Sequence, residues 1–146
     1  MIGPDKAGFS FGPTQFSTDA VAKYCLASGD TNPIHVDPQA ALRAGLASCI
    51  VPGGMLVFLM EQAISTSFPQ ATIIEMRTRF TAPLLTGNAV LCDGREIQRR
   101  STHGRDDTRL MRLSCRDEAR RILCLGDVLF TLVAKGTGVD APHPPC

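Results

Sequence analysis

Asp30 and His35 are the acid and the imidazole that this 146-residue chain sets close together, in a turn framed by Gly and Pro. The connection reads Asp30-Thr31-Asn32-Pro33-Ile34-His35-Val36. A carboxylate and an imidazole brought to one point suit general acid–base work. No Ser or Cys beside them is set up as an activated nucleophile, so the nucleophile such a pair would serve is a water molecule. Spacing alone leaves a plainer alternative open. Asp30 forms an Asx turn, Asn32 is a turn former, and His35 packs as an ordinary loop histidine. His103 falls in a polar hairpin loop and His143 in the C-terminal tail, which makes both weaker candidates.

The elements that must position the pair are well punctuated. Thr18 and Asp19 read as a helix start, with Thr18 as N-cap, and Gly29 stands where a left-handed C-terminal cap is wanted. Val21, Tyr24, Cys25 and Ser28 fall on one face of that helix. Asp37 and Pro38 open a second, short helix that Gly45 can close. Pro33 disfavours helical geometry at Asn32, so the stretch between the helices must turn. After Pro52-Gly53-Gly54 the run Met55 to Ile64 is apolar on almost every side, the signature of a helix buried all round.

From Ala71 the period changes to two. Ile74, Met76, Thr78 and Phe80 alternate with Glu75, Arg77 and Arg79, as in a strand with one wet face. Residues 89–97, 108–116 and 121–134 read as three further strands, joined by polar hairpin connections. The last is apolar on both faces, which places it inside the sheet or at a subunit interface. The order gives an α+β fold: helices, one long buried helix, then an antiparallel meander curved around it. Residues 1–13 form an arm or first edge strand, 14–135 the single domain, and 136–146 a tail expected to be disordered.

Composition bounds the function. The formal net charge is +1, which favours neither a nucleic-acid groove nor a polybasic membrane patch. No apolar run is long enough to span a bilayer, and no signal peptide is read at the N-terminus. The six cysteines are scattered without a C-x-x-C pair, which fits reduced thiols in the cytoplasm and no zinc site. Arginines between Arg95 and Arg121 alternate with acids. They read as a solvated strand face, with a site for a phosphate tail as the sharper alternative.

The stretch Tyr24-Cys25-Leu26-Ala27-Ser28-Gly29-Asp30-Thr31-Asn32-Pro33-Ile34-His35-Val36-Asp37 resembles the hydratase motif of the MaoC-like, R-specific enoyl-CoA hydratases. It departs from that motif at Cys25, where Ala or Ser is usual. The resemblance continues through Ala40 to Gly45, Ile50-Val51, Gly54-Met55-Leu56 and Arg79 to Asn88. It implies a single hot-dog domain, with the long helix as the sausage inside a curved antiparallel sheet. It also implies a dimer with acyl tunnels at the subunit interface and an acyl-CoA or acyl-carrier-protein substrate. No metal or redox cofactor is implied.

Carried over by position, Asp30 and His35 match the catalytic pair that adds water to a trans-2-enoyl thioester. Asn32 would orient their loop, and Gly54 matches the position that stabilises the thioester oxygen. Pro52-Gly53-Gly54-Met55 stands where relatives usually read His-Gly-Met, so the usual histidine is missing. Three other readings fit the same fold: a thioesterase, an enzyme of conjugate addition to enoyl thioesters, or a non-catalytic acyl-binding subunit.

Overall fold

The computed structural model describes residues 8–102 and 106–133. Strand β1 (Gly8–Gln15) leads into helix α1 (Thr18–Ser28), a 3₁₀ turn (Pro33–His35) and helix α2 (Pro38–Arg43). The long helix α3 (Gly53–Ser67) precedes strands β2 (Ala71–Phe80), β3 (Ala89–Thr102), β4 (Asp106–Asp117) and β5 (Ile122–Val133). One five-stranded sheet results, in the order β1-β3-β4-β5-β2, with every pairing antiparallel. The expected meander is therefore β3-β4-β5, with β2 added beside β5 at one edge and β1 beside β3 at the other. Residues 8–13 of the expected arm belong to the sheet through β1, the edge-strand alternative. The expected tail, 136–146, and His103 and His143 lie outside the described residues.

Helix α3 packs on β1, β2, β3 and β4, so the sheet wraps it. Leu56, Leu59, Met60, Ala63 and Ile64 of α3 are buried with Val90 and Cys92 of β3, Met111, Leu113 and Cys115 of β4, and Cys124, Val128 and Phe130 of β5. The helix is not buried all round, however. Gly54, Phe58, Glu61 and Ser65 form an exposed stripe at helical spacing, and Phe58 is 52% exposed. The sheet covers the side of α3 that faces it, and the apolar run continues past what one chain can cover.

Two other expectations change in detail. The N-cap of α1 is Ser17, whose hydroxyl accepts the Ala20 N–H at 3.1 Å, and Thr18 is the first helical residue. On β2 a register shift between Ile73 and Glu75 breaks the simple alternation. Ile73 and Met76 pack on the core while Ile74 is exposed, because one extra residue in a strand reverses the side chains beyond it. β5 does lie inside the sheet, between β4 and β2.

Candidate active site

Short polar side chains build the turn after α1. Gly29 ends the helix with φ 73°, in the left-handed region that favours glycine. Ser28 Oγ then accepts the Asp30 N–H at 3.4 Å, Asp30 Oδ1 the Asn32 N–H at 3.1 Å, and Asn32 Oδ1 the Ile34 N–H at 3.3 Å. Asn32 is extended, as the following proline requires, and caps the 3₁₀ turn that ends on His35. Asp37 caps α2 in the same way, accepting the Gln39 N–H at 2.9 Å. The turn is thus closed without using the second oxygen of Asp30.

That oxygen, Oδ2, stands 3.4 Å from His35 Nε2. The plain and the chemical alternatives share one residue: Oδ1 makes the Asx turn and Oδ2 faces the imidazole. His35 is 7% exposed, and its Nδ1 lies 2.8 Å from the Ile50 carbonyl oxygen. A carbonyl only accepts, so Nδ1 carries the proton, and Nε2 is the nitrogen turned toward Asp30. The tautomer that leaves Nε2 free to accept sets two acceptors face to face at the partly open Asp30 side. A molecule that donates to both completes the arrangement, and water is the simplest.

Ile50 is itself held firmly. Its N–H donates to the Ile34 carbonyl at 3.3 Å and it bridges Leu85, flanked by Val51 N–H to Leu84 O at 2.8 Å and Thr86 N–H to Cys49 O at 2.9 Å. From Ile50 the chain runs directly into Pro52-Gly53-Gly54, the head of α3. Pro52 provides no side-chain cap, so no side chain claims the first-turn N–H groups. Gly54 is exposed there. A Cβ on Gly54 would overlap the Tyr24 hydroxyl, and one on Gly53 would stand 2.8 Å from the Phe80 ring. The phenyl ring of Phe80 fills the space that a larger residue at position 53 would take.

Among the predicted residues, Asp30 and His35 meet side chain to side chain. Asn32 works inside the turn, and Gly54 is joined to the pair through the Ile50–Gly54 segment. Sequence reasoning missed the Ile50 carbonyl, which every residue carries, and the contacts of Tyr24 and Phe80 with the two glycines. The Gly-Gly pair was the signal for a close approach there. Cys25, on α1 behind the turn, is buried; that burial and then the charge of Asp30 push its thiol up, away from nucleophilic use.

Five arginines of the run are paired with acids. Arg99 pairs with Asp107, Arg112 with Asp127, Arg116 with Asp93 and Arg121 with Asp117. Arg109 departs from the solvated face: it is largely buried, over the ring of Phe68, and reaches Glu96 and Asp107. A cleft of about 560 Å³ between β1, β3 and the β4–β5 turn is lined by neither Asp30 nor His35. Among the described residues no three His, Cys, Asp or Glu side chains are grouped to hold a metal ion.

Residues 7–109, more than half of the chain, match the family described as MaoC like domain. The chain belongs to the MaoC-like family. Over 78 residues this MaoC-like chain is 31% identical to "3-hydroxyacyl-acyl-carrier-protein dehydratase FERN, mitochondrial" of Solanum lycopersicum, which takes in 53% of this chain and 47% of that protein. The chain spans about half the length of the curated dehydratases it matches. Its fold is that of the (R)-hydratase from A. caviae involved in PHA biosynthesis, at a TM-score of 0.73 and 21% identity, covering 86% of this chain and 92% of that one. It is also similar to the HadBC 3R-hydroxyacyl-ACP dehydratase complex of Mycobacterium tuberculosis, at a TM-score of 0.72 and 14% identity, covering 89% of this chain and 99% of that one. The hot-dog architecture expected from the sequence is therefore the observed one.

Proposed function

We propose that this MaoC-like chain hydrates trans-2-enoyl thioesters, or dehydrates (R)-3-hydroxyacyl thioesters, with Asp30 and His35 as its acid–base pair. The observation that carries this reading is the 3.4 Å approach of Asp30 Oδ2 to His35 Nε2, with Nδ1 already committed to Ile50. A water in front of the pair donates a hydrogen bond to each of Asp30 Oδ2 and His35 Nε2. As its oxygen bonds to the β-carbon, Asp30 takes the proton and the π electrons move toward the thioester oxygen. The enolate then collapses and the α-carbon takes a proton from the pair on the same face. The reverse sequence is dehydration.

Negative charge develops on the thioester oxygen, and the uncapped head of α3 at Gly54 is where backbone N–H groups can meet it. No metal or redox group enters these steps, because the thioester itself makes the α-proton labile. The names of the curated relatives support an acyl-carrier-protein thioester as substrate, with acyl-CoA as the second carrier. We also propose a homodimer. Phe58 and Phe80 stand half-exposed around the head of α3 in the single chain, and a second copy would cover them. The five described cysteines are free thiols, which fits a reducing compartment such as the cytoplasm.

The test is loss of enoyl-thioester ultraviolet absorbance on short, medium and branched acyl chains, beside a free-thiol assay on saturated acyl-CoA. Hydration by the wild-type chain, and its loss in Asp30→Asn and His35→Ala, is expected. Thiol release without hydration would make the chain a thioesterase. Acyl-CoA binding with no turnover would make it an acyl-binding subunit.

A further inference from the structure

We infer that the Tyr24 hydroxyl is a second donor to the thioester oxygen, beside the N–H of Gly54; the inference rests on the hydratase reading. Tyr24 leaves α1 and lays its phenol against the head of α3, where its oxygen occupies the place of a Gly54 side chain. Cα–Cβ bonds tilt toward a helix N-terminus. An oxygen in the Cβ position of Gly54 therefore lies toward the end of α3 to which the first-turn N–H groups point. Those N–H groups have no side-chain cap. The hydroxyl makes no hydrogen bond among the described residues, so its proton is uncommitted.

Three further facts fit a donor rather than a packing contact alone. The ring of Tyr24 is half-buried, which fixes the hydroxyl, while Gly54 beside it is exposed, which leaves room for a substrate oxygen. A phenol O–H is a hydrogen-bond donor, as the thioester oxygen requires. Tyr24 also stands on the helix whose end carries Asp30, so one rigid unit positions both the donor and the base. A hydroxyl and a helix-head N–H converging on one point are the parts of an oxyanion hole.

The experiment compares wild type, Tyr24→Phe and Gly54→Ala, using trans-2-butenoyl-CoA as substrate. Tyr24→Phe keeps the ring and removes the donor. It should lower kcat by about 10- to 100-fold with KM nearly unchanged and the melting temperature kept, since loss of one such donor costs about that much. A second readout uses cinnamoyl-CoA bound to Asp30→Asn, whose absorption moves to the red as the carbonyl is polarised. That shift should shrink in Asp30→Asn/Tyr24→Phe. Wild-type kcat and an undiminished red shift would overturn the donor and leave the hydratase reading standing. A wild-type chain that hydrates nothing, yet shows a Tyr24-dependent shift, would sink the hydratase reading and keep the donor.

Discussion

Two acid–base groupings of this chain use the same chemistry to opposite ends. On the sheet, Arg112 meets Asp127 with two nitrogens on two oxygens, at 2.8 and 3.0 Å, and Arg109 gives Asp107 two contacts at 3.0 and 2.8 Å. Both carboxylates are saturated by guanidinium donors. In the α1–α2 turn, Asp30 spends one oxygen on the backbone and turns the other toward His35 Nε2, 3.4 Å away. The sheet pairs are finished and the turn pair is open. Reactivity is left where hydrogen bonding is incomplete but the groups are held still, and the Ile50 carbonyl supplies the holding.

Breaking the finished grouping should cost stability and spare chemistry. Arg109→Leu removes a largely buried guanidinium from Glu96 and Asp107. It should lower unfolding free energy by about 3 kcal/mol in urea titration, because Glu96 loses its partner and Asp107 keeps only Arg99. The turnover per folded molecule should hold. A loss of turnover at full stability would show that the two regions are coupled.

Asn32→Ala works at the other region and should separate position from chemistry. It removes the side-chain cap of the 3₁₀ turn, for about 1 kcal/mol of stability. It should also lower kcat, because His35 sits at the end of that turn. An unchanged kcat would show that the Ile50 carbonyl alone orients the ring.

Acid should reveal the sheet pairs in another way. Arg112 holds Asp127 below the usual carboxylate range. At Asp107 burial works against ionisation, yet hydrogen bonds from Arg109 and Arg99 outweigh it and leave the group lowered. A depressed folded value means that the unfolded chain binds more protons between the two values. The stabilisation is therefore complete above the ordinary Asp value of about 3.9 and is lost as pH falls through the folded values. Melting temperature should drop in that window, and less steeply in Asp127→Asn. The smallest effect belongs to the exposed Arg77–Glu75 pair, where Arg77→Ala should shift stability by less than about 0.5 kcal/mol.

Local signals made much of this visible in the sequence. Gly29, Pro33 and Asp37 each act on the residue beside them, so the ends of α1, the turn and the start of α2 could be read directly. The uninterrupted motif from Tyr24 to Asp37 singled out the pair. Register and long-range contacts were not legible. The shift at Ile74 depends on how β2 meets β5, and the exposed stripe of α3 depends on how much surface one sheet can cover. Nor does a sequence mark a backbone carbonyl such as that of Ile50, or show that Phe80 fills the space beside Gly53. The α3 head, whose altered residues put the oxygen-binding loop in question, proves to be shaped by the two aromatic side chains seated on its glycines.

The central claim is that Asp30 and His35 act as one unit on one water. A double-mutant cycle of kcat for enoyl-thioester hydration tests it, using Asp30→Asn, His35→Ala and the double variant, each checked for folding. Each single change should cost about 10²- to 10⁴-fold, and the double variant should be little worse than the poorer single. Losses that multiply in the double variant, or full activity in either single, would contradict it.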